Sequence, residues 1–202
     1  MVVATYNRTV LLQRALCSLL KQTETDWEVV VVDDGSTDQT REMLDRHEIA
    51  TRRFSSFYQE NRGVVAAKNK GMQLACGKYI TFLDSDDEYA PDHLETRREI
   101  LQSHPSCQFL HGGIRVVGNP FVPDRLDPRK KIHVSKCAVS GSFFVKSNAL
   151  KFLKGFRKPT LGTDADFLEQ VHKNGLMMMK TEIPTYIYHR DMACSITHGK
   201  NL

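Results

Sequence analysis

Three aspartates, Asp84, Asp86 and Asp87, crowd together in the stretch YITFLDSDDEY, which runs from Tyr79 to Tyr89. Carboxylates this close cannot all stay ionised cheaply unless a cation sits among them. A hard divalent ion with oxygen ligands removes the conflict. In phosphate chemistry magnesium is usually held by one or two protein carboxylates plus substrate phosphates, and manganese accepts the same oxygens. A solvated acidic loop is the plain alternative. A second acidic pair, Asp33 and Asp34, ends the apolar run of WEVVVVDDGSTDQT. An aspartate at a strand end can accept hydrogen bonds from a nucleobase N–H or from ribose hydroxyls. The same pair can serve only as turn and cap residues, with Gly35 letting the chain turn sharply.

Two further clusters carry weaker signals. In TYNR, Thr5 to Arg8, Asn7 either meets a ligand or caps the helix that follows. In NRGVVAAKNKG, Asn61 to Gly71, a glycine opens a helix lined by small residues. Phosphate can approach the amino end of such a helix, with Lys68 and Asn69 further in and directed back toward the strand ends. An ordinary alanine-rich core helix with solvated lysines would read the same way.

The elements that must position these residues alternate. Val2 to Thr5 is a short apolar run, and Val10, Leu11, Leu12, Ala15, Leu16, Leu19 and Leu20 then fall at helical spacing. Val29 to Val32 is continuously β-branched, as in a strand buried on both faces. DQTREMLDRH predicts a helix that Ser36, Thr37 or Asp38 could cap. Phe54 to Tyr58 predicts a weaker strand, GVVAAKNKGMQLA a helix stopped by Gly77, KYITFL a strand, and PDHLETRREILQSH a helix with Pro91 in its first turn. This alternation predicts an α/β fold with a mostly parallel central sheet. Such sheets bind ligands at the carboxyl ends of their strands, so TYN, DDGSTD and DSDDE should gather along one rim. Beyond about Phe109 the alternation fades. Gly118 to Lys136 reads as a long surface loop, CAVSGSFFVKSNALKFL as a strand entering a helix, Asp164 to Lys173 as a short helix, and MMMKTEIPTYIYHR as strand runs split by Pro184.

Length and composition bound the rest. The chain has 202 residues, enough for one domain with a full core. Its net charge of +4 is too mild to imply nucleic-acid binding. Five cysteines, no two closer than 30 residues, give neither a zinc site nor a redox pair and suit reduced thiols in a cytoplasm. No stretch approaches the roughly 20 apolar residues of a membrane span, and the first residues do not read as a signal peptide. The first strand is short enough to be clipped. The basic PRKK, Pro128 to Lys131, could meet an acidic glycan or a membrane surface, or simply be solvated.

VVATYNR, VVVVDDGSTDQT, NRGVVAAKNKG and YITFLDSDD together resemble, in order and spacing, the family 2 glycosyltransferases, inverting enzymes with a GT-A nucleotide-sugar-binding fold. The likeness covers about residues 1–110 well and is looser beyond. It implies a single domain: a Rossmann-like sheet with helices on both faces, about 1–110 binding a nucleotide sugar and about 111–202 an acceptor. Thr5, Tyr6, Asn7 and Asp34 would line the base and ribose pocket. Asp84 and Asp86 match the family's DxD motif, with Asp86 on a divalent metal, Mn2+ or Mg2+, that bridges the diphosphate, and Asp84 toward the ribose or sugar. Lys68 stands where the family usually has arginine; a compact ammonium still neutralises phosphate but loses the bidentate fork. GFRKPTLGTDADFLEQV resembles the acceptor-side helix, which makes Asp164 the matching catalytic base and Asp166 its rival; Thr163 departs from the glutamate often found there. YHRDMACSIT resembles a segment that folds over the diphosphate, so His189 and Arg190 could steady the leaving nucleotide; a charged strand end is the alternative.

The implied reaction moves a sugar from a nucleotide diphosphate sugar, a UDP-sugar by expectation, to a hydroxyl of a glycan or lipid-linked acceptor. The setting would be cell-surface polysaccharide synthesis at the inner face of a membrane, with peripheral association and no nucleic-acid partner. Two other readings compete. A sugar-phosphate nucleotidyltransferase shares the sheet and metal use, but TYNRTVLLQ lacks that class's glycine-rich basic loop. A nucleotide-binding module without transfer activity is the third.

Overall fold

Residues 1–157 and 162–191 are described by the computed structural model, with backbone alone for 47–50. The short β-branched runs form β1 (Val2–Thr5), β2 (Val29–Asp33) and β3 (Phe54–Tyr58), paired in parallel in the order β1-β2-β3. Between them lie α1 (Thr9–Leu20) and α2 (Thr40–Ala50), and after them α3 (Val64–Leu74). Strand side chains alternate between faces, and both faces here are covered. Val3, Val29 and Val31 pack in one cluster with Leu12, Leu16 and Leu19 of α1 and Met43 and Leu44 of α2. Ala4, Val30 and Val32 pack with Ala67 of α3 on the other side. A continuous valine run is what a strand sandwiched this way requires. The close seat of α3 depends on Gly71, where a Cβ would lie 2.3 Å from Cγ1 of Val2.

The chain then crosses to β4 (Tyr79–Thr81), β5 (Glu88–Tyr89), α4 (His93–Ser103) and β6 (Phe109–Gly118). A parallel bridge from Val2 to Phe82, with the Leu83 N–H donating to the Val2 carbonyl at 3.0 Å, joins β4's end to β1. The predicted loop at 118–136 contains a two-stranded hairpin, β7 (Phe121–Pro123) and β8 (Lys131–His133). Last come β9 (Phe144–Lys146), flanked by 3₁₀ turns at Ser140–Ser142 and Ser147–Phe152, then α5 (Thr163–Lys173) and β10 (Met178–Arg190). The expected helix after β9 is thus only a 3₁₀ turn. The second sheet has the order β4-β9-β6-β10-β5; β6 and β10 are parallel and the other three pairs antiparallel. The parallel pattern therefore holds for the first three strands and gives way to mixed pairing beyond them.

Pro184 does not split β10. The strand shifts register instead: Thr181 pairs with Gly112 and Tyr186 with Ile114, so five steps on β10 match two on β6. Gly112 and Gly113, at φ of +94° and +72°, permit the bend; a Cβ on Gly113 would lie 2.0 Å from the Ile183 carbonyl oxygen. Arg97 of α4, wholly buried, closes the bulge by donating from Nη2 to the carbonyls of Gly112 at 3.0 Å and Ile183 at 3.2 Å. Burial lowers its pKa to about 10. One turn earlier, buried His93 stacks on Tyr89 with ring centroids 3.8 Å apart and meets the Thr185 hydroxyl at 2.8 Å through Nδ1. Burial, with Arg97 nearby, holds His93 well below the usual histidine range.

Candidate active site

The strands deliver polar residues to one rim, and hydrogen bonds tie the rim loops together. Asn7, in the left-handed conformation at φ 49°, does not cap α1. It accepts the Thr37 N–H at 2.7 Å while its own N–H donates to Ser36 Oγ at 2.9 Å, which locks the loop after β1 to the loop after β2. Capping falls to Asp38, whose carboxylate accepts the N–H of Thr9 at 3.2 Å and of Thr40 at 3.0 Å, one for each of the first two helices. Asp33 holds its turn through the Ser36 N–H at 2.9 Å, and its buried Oδ2 has no partner among the described residues. Asp34 accepts from Gln59 Nε2 at 2.7 Å, the Arg62 N–H at 2.9 Å and the Gly63 N–H at 2.8 Å. Its carboxylate thus shapes the entry to α3. Thr5 is buried and its hydroxyl has no partner among the described residues, whereas Tyr6 is 46% exposed on the same rim.

Lys68 is the centre of the acidic cluster. It points from α3 into the protein, pairs with Asp84 at 2.7 Å and donates to Ser140 Oγ at 2.8 Å. Burial alone would lower its pKa, but the charges of Asp84 and Asp164 outweigh burial and hold it above the usual lysine range. The Ser140 N–H in turn donates to Asp164 Oδ2 at 2.8 Å. Lys68, Ser140, Asp84 and Asp164 thus form one connected group drawn from α3, the 3₁₀ turn, the loop after β4 and the first turn of α5. Asp86 sits beside it, paired with Arg8 at 2.9 Å. Burial and the neighbouring Asp84 raise the pKa of Asp86 against the pull of Arg8. Burial likewise raises that of Asp164, with Lys68 opposing and Asp84 adding.

The other candidates part company with this group. Asp166 faces away, where Arg157 holds it in a fork at 2.7 and 3.0 Å and Gln170 donates at 3.1 Å. Asp87 turns inward, accepting from the Tyr186 hydroxyl and, at 2.8 Å, from the His189 N–H. The His189 ring meets Glu88 at 2.7 Å, next to the acidic loop. The Arg190 guanidinium donates to the Phe121 carbonyl at 3.4 Å. The tail beyond 191 lies outside the described residues. Arg8, Ser140 and Tyr186 entered none of the predicted roles at this cluster, although Arg8 directly follows the polar TYN and the serine directly precedes Gly141.

For a divalent ion the donor chemistry fits. Asp84 and Asp86 offer hard carboxylate oxygens on one loop, each already next to a cation of the chain. Among the described residues no three His, Cys, Asp or Glu side chains gather into a complete cage. One or two carboxylates completed by phosphate oxygens is the usual magnesium arrangement.

A model of glycosyl transferase family 2 matches residues 1–153. The chain belongs to that family. Over 119 residues it is 36% identical to the Bacillus subtilis (strain 168) protein named "Putative teichuronic acid biosynthesis glycosyltransferase TuaG", covering 58% of this chain and 47% of that protein. Over 127 residues it is 40% identical to glycosyltransferase GlyG of Streptococcus pneumoniae serotype 4, covering 62% of this chain and 40% of that one. The family 2 chain therefore spans less than half the length of these relatives. Its fold matches S. aureus TarS 1-349 in complex with UDP-GlcNAc at a TM-score of 0.79 and 22% identity, over 95% of this chain and 58% of that one. A mannosyltransferase of Pyrobaculum calidifontis in complex with GDP-Man and Mn2+ matches at a TM-score of 0.70 and 21% identity, over 92% of this chain and 55% of that one. The fold is thus the GT-A fold that the sequence resemblance implied.

Proposed function

We propose that this chain transfers a sugar from a UDP-sugar to an acceptor hydroxyl with inversion, in the assembly of a cell-surface polysaccharide. The observation that carries this reading is the Lys68–Asp84–Ser140–Asp164 group, which sets a buried cation and a raised-pKa carboxylate side by side at the rim. The nucleoside would lie over Thr5, Tyr6 and Asn7, with Asp34 fixing the loop beneath it. Lys68 would neutralise the diphosphate. A divalent ion, Mn2+ or Mg2+, held by Asp86 with Asp84 beside it, would supply further neutralisation of the leaving group. Asp164 takes the proton from the acceptor hydroxyl as its oxygen bonds to the anomeric carbon and the bond to the nucleotide breaks. Ser140 holds Asp164 by one oxygen and leaves the other for the acceptor. His189 stands near enough to the acidic loop to steady the leaving nucleotide. Support for the donor comes from the TarS complex with UDP-GlcNAc, and support for the process from the relative named for teichuronic acid biosynthesis. Residues from about 111 onward would face the acceptor. No described helix is long and apolar enough to cross a membrane; work at the inner membrane face through peripheral contact is part of the same proposal.

A thermal-shift screen of nucleotide sugars, with and without manganese, tests the donor reading, because a ligand of the native state raises the melting temperature. Transfer assays follow with the ligand that shifts it most. UDP binding with manganese but no turnover of any sugar would favour a binding module instead.

A further inference from the structure

The acidic loop and the turn that holds Asp164 come from distant parts of the chain, and besides Lys68 the side chain of Tyr186 touches both. Tyr186 lies on β10 just past the register shift and is wholly buried. Its hydroxyl donates to Asp87 Oδ2, directly after Asp86. The hydroxyl end of its ring lies against Gly141, so closely that a Cβ there would come within 2.0 Å of the ring's Cζ. Gly141 stands between Ser140, which binds Lys68 and Asp164, and Ser142, whose hydroxyl accepts the Gly112 N–H at 3.1 Å. Asp87 also accepts the His189 N–H at 2.8 Å, so the same carboxylate fastens β10's backbone. Tyr89, the register partner of Tyr186 on β5, adds bonds to the Phe82 carbonyl at 2.8 Å and the Gly141 carbonyl at 3.4 Å.

We propose that Tyr186 is a positioning residue that sets the acidic loop of Asp84 and Asp86 in a fixed frame against the turn carrying Ser140 and, through it, Asp164. It meets no substrate. Its place follows from the three extra residues that the shift inserts into β10: an odd number reverses which side chains face inward. The inference rests on the catalytic reading above, since it concerns how the groups named there are held.

Tyr186→Phe keeps the ring against Gly141 and removes only the hydroxyl. The measurement pairs kcat and donor KM with the melting temperature and with UDP affinity by calorimetry in manganese. The expected result is a kcat lower by on the order of 10- to 100-fold, the worth of one hydrogen bond to a charged group, with manganese-dependent UDP affinity weakened about 3- to 10-fold by the same bond's lower range. The melting temperature should fall by no more than about 4 °C, as a small loss of stability gives in a chain of this size. Asp87→Asn should reproduce the fall, and the double variant should be no worse than either single one, because both break the same bond. An intact Tyr186→Phe protein with wild-type kcat and UDP affinity overturns the proposal. So does additive loss in the double variant, or loss that merely tracks a lowered melting temperature. If wild-type protein binds no nucleotide and transfers no sugar, the catalytic reading has failed instead.

Discussion

In the first 110 residues, charged side chains reach the rim because strands end there: Asp34 follows β2 and Asp84 follows β4 closely. In the rest of the chain they arrive because irregular segments stop at the right place: Asp164 opens a helix, and a 3₁₀ turn from another segment clasps it. The first half is assembled from neighbours in sequence, strand to helix to strand. The second depends on pairings across long separations, such as Ser140 with Lys68 and Tyr186 with Asp87. A family model that ends at residue 153 covers the first kind of structure and stops within the second. Substitutions should therefore act differently in the two regions.

The sharpest separation is expected between two acids on one helical turn. Asp164→Asn should lower kcat by roughly 10²–10⁴-fold, the usual worth of a general base, and leave nucleotide binding intact by calorimetry. In the wild type, kcat/KM should fall on acidification through a pKa above the ordinary 3.8 of an aspartate, because burial raises that of Asp164. Asp86→Ala comes next in size: manganese should no longer strengthen UDP binding, and unchanged affinity in its presence would remove the metal role from this residue. Asp166→Ala should instead cost about 1–3 kcal/mol of stability, since it removes the acceptor of the Arg157 fork and of one Gln170 N–H, the Gly155 carbonyl still taking the other. Chemical denaturation measures this; a large kcat loss at unchanged stability would exchange the roles of the two aspartates.

On the donor side, Asp38→Ala should cost about 0.5–2 kcal/mol as a lost helix cap, with nucleotide affinity changed less than stability. The smallest effect concerns pH. His93 has a folded pKa well below its unfolded 6.5, so the unfolded chain takes up the proton first as pH falls. Its contribution to stability is present above pH 6.5 and is lost on acidification. Buried Asp86 and Asp164, with raised pKa values, act in the opposite sense at lower pH. His93→Gln isolates the histidine: the melting temperature of the wild type should fall more between pH 7 and 5 than that of the variant, and parallel curves would dismiss the assignment.

The four valines before Asp33, the leucine spacing of α1 and the small residues of α3 made the parallel half legible, because periodicity there follows directly from which face is buried. The same local signals brought Lys68, Asp84 and Asp86 into view, and the family resemblance added Asp164. What they could not convey was geometry set by distant partners. Nothing near Asp166 in sequence shows that Arg157 occupies it, and Pro184 reads as a break unless Gly112 and Gly113 are known to lie opposite. The hairpin at Phe121 to His133 was hidden for a related reason: its strands are three residues each, too short for a period to show.

The seam between the two sheets has a consequence of its own. At Val2 and Phe82 the parallel strands give way to mixed ones through a single bridge, with α3 seated over it by Gly71. Strand pairing joined by so short a contact is where the backbone can open locally, one cooperative unit loosening while the other persists, although side chains of both sheets share one core cluster. The Leu83 amide, bonded across the join, is a natural reporter. If it exchanges with deuterium earlier than the amides of Val30 to Val32, the two halves breathe apart at that line, and a nucleotide bound as proposed, reaching from Thr5 to Asp86 across it, should slow that exchange.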